Sequence, residues 1–203
     1  GIVIGRLYLQ KSKKTIELLR KGIGLLYPES SKKFMTKVSK SWLCNSGTVL
    51  ADVMFHLPNL QSGKLVNFVE FQNLKQLDSA YKKRKGVIVP SVHTANVFHI
   101  IAGLVFHPNI YHVSVVANMN NELLFKQLLQ REELSNLTVV GTSNYKNLRE
   151  ELEKRLNLGD IVVLMVDFSN KNQLKIPFWE GQYPYYYPFP QSCVALHLKT
   201  GAP

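Results

Sequence analysis

A histidine that follows a short apolar run is the first residue in this chain placed for chemistry. Val87, Ile88 and Val89 come after Gly86 and lead through Pro90, Ser91 and Val92 to His93. A short β-branched run of this kind suits a strand buried on both faces in the middle of a parallel sheet. The residues after His93 read as helical. The imidazole therefore falls at the carboxyl end of a strand, the edge at which open α/β sheets gather their ligands. From there it can take a proton from a hydroxyl as general base. A second apolar run, Ile161 to Val166, ends at Asp167. A strand-end aspartate serves catalysis, holds a loop or caps one, and the structural roles come first. His56, His107, His112 and His197 have no spaced Cys, Asp or Glu partners, so they read as structural or surface groups and no metal is expected. No glycine-rich phosphate loop follows a strand.

These two residues need elements to hold them, and the alternation of patterns supplies those elements. Asn73 to Lys85 reads as a helix with Leu74, Leu77 and Ala80 inward and Gly86 at its C′ position. Before it, Leu65 to Glu70 reads as a strand. After His93, Ala95 to Phe106 is a helix closed by His107-Pro108. Tyr111 to Ala117 is a strand, Glu122 to Leu134 a helix, and Leu137 to Val140 a strand. Asn144 to Leu158 is a helix ended by Gly159. Tyr185-Tyr186-Tyr187, among Pro184, Pro188 and Pro190, reads as a ring-rich loop. The predicted fold class is α/β: a mixed, mostly parallel central sheet with helices on both faces.

An N-terminal helical part, about residues 1–60, precedes the α/β part, about 64–203, in a single domain. Arg6 to Tyr27 is basic and amphipathic. Leu7, Leu9, Ile16, Leu18, Leu19, Ile23, Leu25 and Leu26 oppose Lys11, Lys13, Lys14, Arg20 and Lys21. Such a helix lies on an anionic bilayer or packs on the domain with its basic face in water. Ser30 or Ser31 caps a second helix running toward Pro58, with Gly47 a point of interruption.

Composition narrows the partners. The 203 residues carry 25 Lys+Arg against 14 Asp+Glu, a net charge of +11, which favours polyanions: an anionic membrane surface or a nucleic acid. No nucleic-acid-binding module accompanies the charge, so that reading is disfavoured. The two cysteines, Cys44 and Cys193, form no disulfide framework and point to a reducing compartment. No run of 18 apolar residues occurs.

Several stretches together resemble a known family. They are Tyr27-Pro28-Glu29; Lys85 to His93; Asp167-Phe168-Ser169-Asn170-Lys171; Leu174 to Gly181 with Pro177, Phe178 and Trp179; and Thr200-Gly201-Ala202-Pro203. In order and spacing they are similar to the lipid A biosynthesis acyltransferases, within the lysophospholipid acyltransferase superfamily. The resemblance implies a membrane-associated enzyme. It would move a fatty acyl group from a thioester of acyl carrier protein or coenzyme A to a hydroxyl of a lipid or glycolipid. It makes His93 the general base and places Asn96, Asp167, Lys171 and Phe178 against substrate. It requires no cofactor beyond the thioester, and it puts the protein at the cytoplasmic face of the cell membrane, peripheral or held by an N-terminal anchor. It also implies at least one further strand after Pro203.

One departure bears directly on the chemistry. The family motif is His, four residues, then Asp or Glu, and the acidic position here is Phe98. The carboxylate of such a pair selects the imidazole tautomer and stabilises the imidazolium, and losing it in a serine protease triad costs about 10⁴ in turnover. The stretch where the family carries a substrate-contacting arginine reads Ala117-Asn118-Met119-Asn120. Asp167, Glu70, the Asn96 amide oxygen or a backbone carbonyl are the replacements on offer for the acid. Neighbouring parallel strands lie about 4.8 Å apart and their side chains need not converge. The expectation is therefore that no carboxylate reaches His93 and that the chain is a catalytically impaired, lipid-binding relative if nothing else orients the ring.

Overall fold

The computed structural model describes residues 13–52, 69–93, 97–109, 111–117, 135–142, 145–167, 173–179 and 185–203. The chain divides into two compact units, Gly1–Leu60 and Gln61–Pro203.

The first unit holds two helices, α1 (Lys13–Leu26) and α2 (Lys32–Ala51). Ser31 caps α2: its side-chain oxygen accepts the Phe34 N–H at 3.2 Å, satisfying a donor that has no partner within the helix. Between the helices the Tyr27 and Phe34 rings meet edge to face, centroids 5.6 Å apart. Gly47 lies inside α2 and does not interrupt it. The single apolar side expected of α1 is two strips. Ile23 is buried and Ile16 and Leu19 are half-buried, whereas Leu18, Leu25 and Leu26 are exposed. At about 100° per residue, positions 16, 19 and 23 share one face and 18 and 25 another. Leu7, Leu9 and Lys11 lie outside the described residues.

The second unit is built on a four-stranded parallel sheet. Its strands are β1 (Val87–Ser91), β2 (Val113–Ala117), β3 (Leu137–Gly141) and β4 (Ile161–Met165), in the order β1-β4-β2-β3. Four further helices occur among the described residues of this unit: α3 (Leu74–Tyr81), α4 (Val97–Val105), α5 (Tyr145–Asn157) and α6 (Ser192–Thr200). Period-2 alternation along β4 splits its side chains between two cores. Ile161 and Val163, with Val87, Val113 and Val115, meet Ile101, Leu104 and Val105 of α4 on one face, and Leu77 and Ala80 of α3 pack against them. Val162 and Leu164, with Val140, meet Leu152 and Leu156 of α5 and Leu196 of α6 on the other. Helices thus cover both faces, as a continuous apolar strand such as β4 requires.

Several expectations need correction. The interior strands are β4 and β2; among the described strands β1 pairs with β4 alone, and on its other side Ile88 N–H donates to the Pro203 carbonyl at 2.8 Å. Alternate N–H groups of a strand point the same way, so Pro90 lacks its donor on the side away from β4 and costs that ladder nothing. The helix before β1 ends at Tyr81, not Lys85, so Gly86 is no helix cap. It has φ +69° and lies against Leu156 of α5. The ring-rich loop is in fact strand β6 (Tyr185–Pro190), antiparallel to β5 (Gln173–Trp179). Three consecutive tyrosines favour extended backbone, and proline is tolerated in a strand of a two-stranded ribbon, where one edge is unpaired. Of the strand expected over Leu65 to Glu70, Val69 and Glu70 are not in strand conformation, and the rest lies outside the described residues. The helix expected over Glu122 to Leu134 also lies outside them.

Candidate active site

The pairing register of β1 and β4 builds the site. The two strands run parallel with Val87 opposite Ile161 and Ser91 opposite Met165. Val166 N–H then donates to the Ser91 carbonyl at 2.7 Å, carrying the pairing one step past the strand ends. Two residues beyond Ser91 is His93, and two beyond Met165 is Asp167. The register therefore sets these residues side by side at the carboxyl edge of the sheet.

Their contact is double. The His93 backbone N–H donates to Asp167 Oδ2 at 2.7 Å, and the His93 ring Nδ1 lies 2.8 Å from Asp167 Oδ1. Partial burial pushes the Asp167 carboxyl up. The His93 backbone N–H, the ring hydrogen bond and the imidazole charge outweigh that push and hold it below the usual carboxylate range. At neutral pH Asp167 is ionised and can only accept, so the proton in this contact belongs to Nδ1. In that tautomer Nε2, across the ring, carries the lone pair. The His93 side chain is about half exposed at 48 %.

The expectation that no carboxylate reaches His93 is thus overturned, and the register is the reason. Strands about 4.8 Å apart bring side chains together when they leave the sheet in step. Local pattern puts both residues at strand ends, but it carries no register of one strand against another. Phe98 sits on α4, half-buried and packed against the core cluster below that helix. Glu70 is exposed ahead of α3. Asn96 and Lys171 lie outside the described residues, as do Asn118, Met119 and Asn120. Phe178 is on β5, and its side chain is outside the description.

Three other described histidines make contacts of their own. His107 stacks on Tyr111, centroids 5.0 Å apart. The His112 backbone N–H donates to the Tyr81 hydroxyl, and His197 Nδ1 lies 2.7 Å from the Ala202 carbonyl oxygen. His56 lies outside the described residues. Around the amino edge of the sheet, away from His93, Asp78 accepts from both Tyr111 and Asn109. Burial and this carboxylate push the Tyr111 hydroxyl up to about 12. Among the described residues, no three His, Cys, Asp or Glu side chains gather as a metal site would need.

A strand-end imidazole with its Nδ1 proton held by an ionised carboxylate is equipped to accept a proton at Nε2 and to return it. A family model described as bacterial lipid A biosynthesis acyltransferase matches residues 2–183. No curated protein matches the chain.

Proposed function

This chain belongs to the bacterial lipid A biosynthesis acyltransferase family, and we propose that it moves a fatty acyl group from an acyl thioester to a hydroxyl of a membrane lipid or glycolipid. The donor is a thioester of acyl carrier protein or coenzyme A. The observation that carries this reading is the double contact between His93 and Asp167. Nε2 of His93 takes the proton of the acceptor hydroxyl as its oxygen attacks the thioester carbonyl carbon. The carbon–sulfur bond then breaks, the ester forms, and the departing thiolate takes the proton back from the imidazolium. The transfer of one acyl group for one hydrogen balances without a metal or redox cofactor. Asn96, Lys171 and Phe178 are assigned to substrate contact on the family resemblance.

The working surface we propose is an anionic membrane at the cytoplasmic face. The net charge of +11 supports it, and so does α1, whose Leu18, Leu25 and Leu26 stay exposed beside Arg20 and Lys21. Each cation near such a surface adds about 1 kcal/mol of attraction. Among the described residues no helix is long and apolar enough to cross a membrane.

One experiment tests transfer and surface together. The protein is mixed at low salt with anionic vesicles containing a hydroxylated lipid acceptor and with a labelled acyl thioester. It is expected to sediment with the vesicles, and the label to appear in the lipid phase as an ester. Label that stays in the thioester contradicts the transfer. Protein that stays in the supernatant contradicts the membrane surface.

A further inference from the structure

We propose that Asp167 is the positioning residue for His93, supplying from the end of β4 the carboxylate that Phe98 cannot supply from α4. The inference rests on the acyl-transfer reading and adds to it where the orienting group comes from. A phenyl ring accepts no strong hydrogen bond from an imidazole N–H, and the half-buried Phe98 side chain packs against the core cluster. Asp167 makes the contact instead, and it grips His93 twice. One oxygen holds the residue's own backbone N–H and the other holds its ring, so the imidazole is fixed relative to its main chain. Rotation about the side-chain bonds would break the second contact while the first persisted. A ring held this way keeps one tautomer, with Nδ1 protonated and Nε2 ready to accept.

The duty also explains why Asp167 need not touch substrate. Both its oxygens contact His93, and its side chain is only 27 % exposed. The resemblance assigns Asp167 to substrate contact; the double contact gives it a duty toward the ring. Asp167 therefore acts through His93, and substitution there is read in turnover more than in substrate affinity.

The test is Asp167→Asn in the full chain, followed by steady-state transfer and by nitrogen NMR of the protein labelled at its histidines. An amide can accept on one side only, so it cannot hold both the backbone N–H and a protonated Nδ1. The expected result is a fall in kcat of about 10²–10⁴ with KM changed by less than about threefold. In the spectra, the His93 signals are expected to pass from a single Nδ1-protonated form to a mixture or to the Nε2-protonated form. Turnover within about threefold of the parent, with an unchanged His93 tautomer, overturns the proposal. Should the variant not fold, the parent spectrum decides: a His93 protonated at Nε2 when neutral overturns the proposal, and one protonated at Nδ1 supports it. Should the parent transfer no acyl group, a tautomer change in Asp167→Asn still supports the positioning role, and the failure then belongs to the acyl-transfer reading alone.

Discussion

Replacing His93 with alanine is expected to lower acyl transfer by about 10²–10⁴-fold without unfolding the protein. The magnitude follows from the role. Without the imidazole the acceptor hydroxyl must lose its proton to water during attack, and the departing thiolate has no imidazolium to reprotonate it. The fold survives because the side chain is half exposed and belongs to neither core cluster. Losing it leaves Asp167 with one neighbour fewer at an edge open to water. His99, on α4, serves as the control, since the contacts with Asp167 are made by His93; its alanine variant should keep most of the activity. Transfer in His93→Ala equal to the parent, with the melting temperature unchanged, would remove His93 from the chemistry.

The largest stability effect is expected at Gly86. Its φ of +69° suits glycine, and a Cβ built there would stand 2.6 Å from the Leu156 carbonyl oxygen and 2.7 Å from the Leu156 Cα. Both are backbone atoms of α5, so neither can rotate aside. Gly86→Ala combines a left-handed conformation, about 1–2 kcal/mol, with overpacking, about 1–3 kcal/mol. Denaturant unfolding should therefore show a loss of about 2–5 kcal/mol. Gly159 gives the comparison: its φ is +93°, but nothing lies within 4 Å of an added Cβ. Gly159→Ala should show the backbone cost alone. Equal losses at the two positions would mean that the approach of α5 to the foot of β1 is not tight. The effect also reaches the site, because Gly86 leads directly into the strand that carries His93.

Much of this arrangement is legible in the residues themselves. The β-branched runs at Val87 and Ile161 mark β1 and β4, and Leu148, Leu152 and Leu156 mark the buried side of α5. These signals are local, a period of two or of 3.6, and survive folding because each element buries the face its pattern presents. What the pattern cannot carry is the partner of each strand. β4, fourth in sequence among the parallel strands, inserts beside β1, and only that insertion brings Asp167 to His93. Read without it, Phe98 at the motif position argues for an impaired site. Gly86 misleads for a related reason. A glycine after a helical stretch reads as a cap, whereas here it answers to a helix seventy residues away in the chain. The tyrosines of β6 carried a strand propensity that the surrounding prolines concealed.

His93 and Asp167 are expected to work as one unit. The most direct measurement is a double-mutant cycle on kcat with the parent, His93→Ala, Asp167→Asn and the double variant. Groups that act together do not lose activity additively. The double variant is expected to be no slower than His93→Ala, within about threefold, because an orienting carboxylate has no duty once the imidazole is gone. Losses that multiply, so that Asp167→Asn costs as much without His93 as with it, would show that the aspartate acts elsewhere and that the two are not one unit.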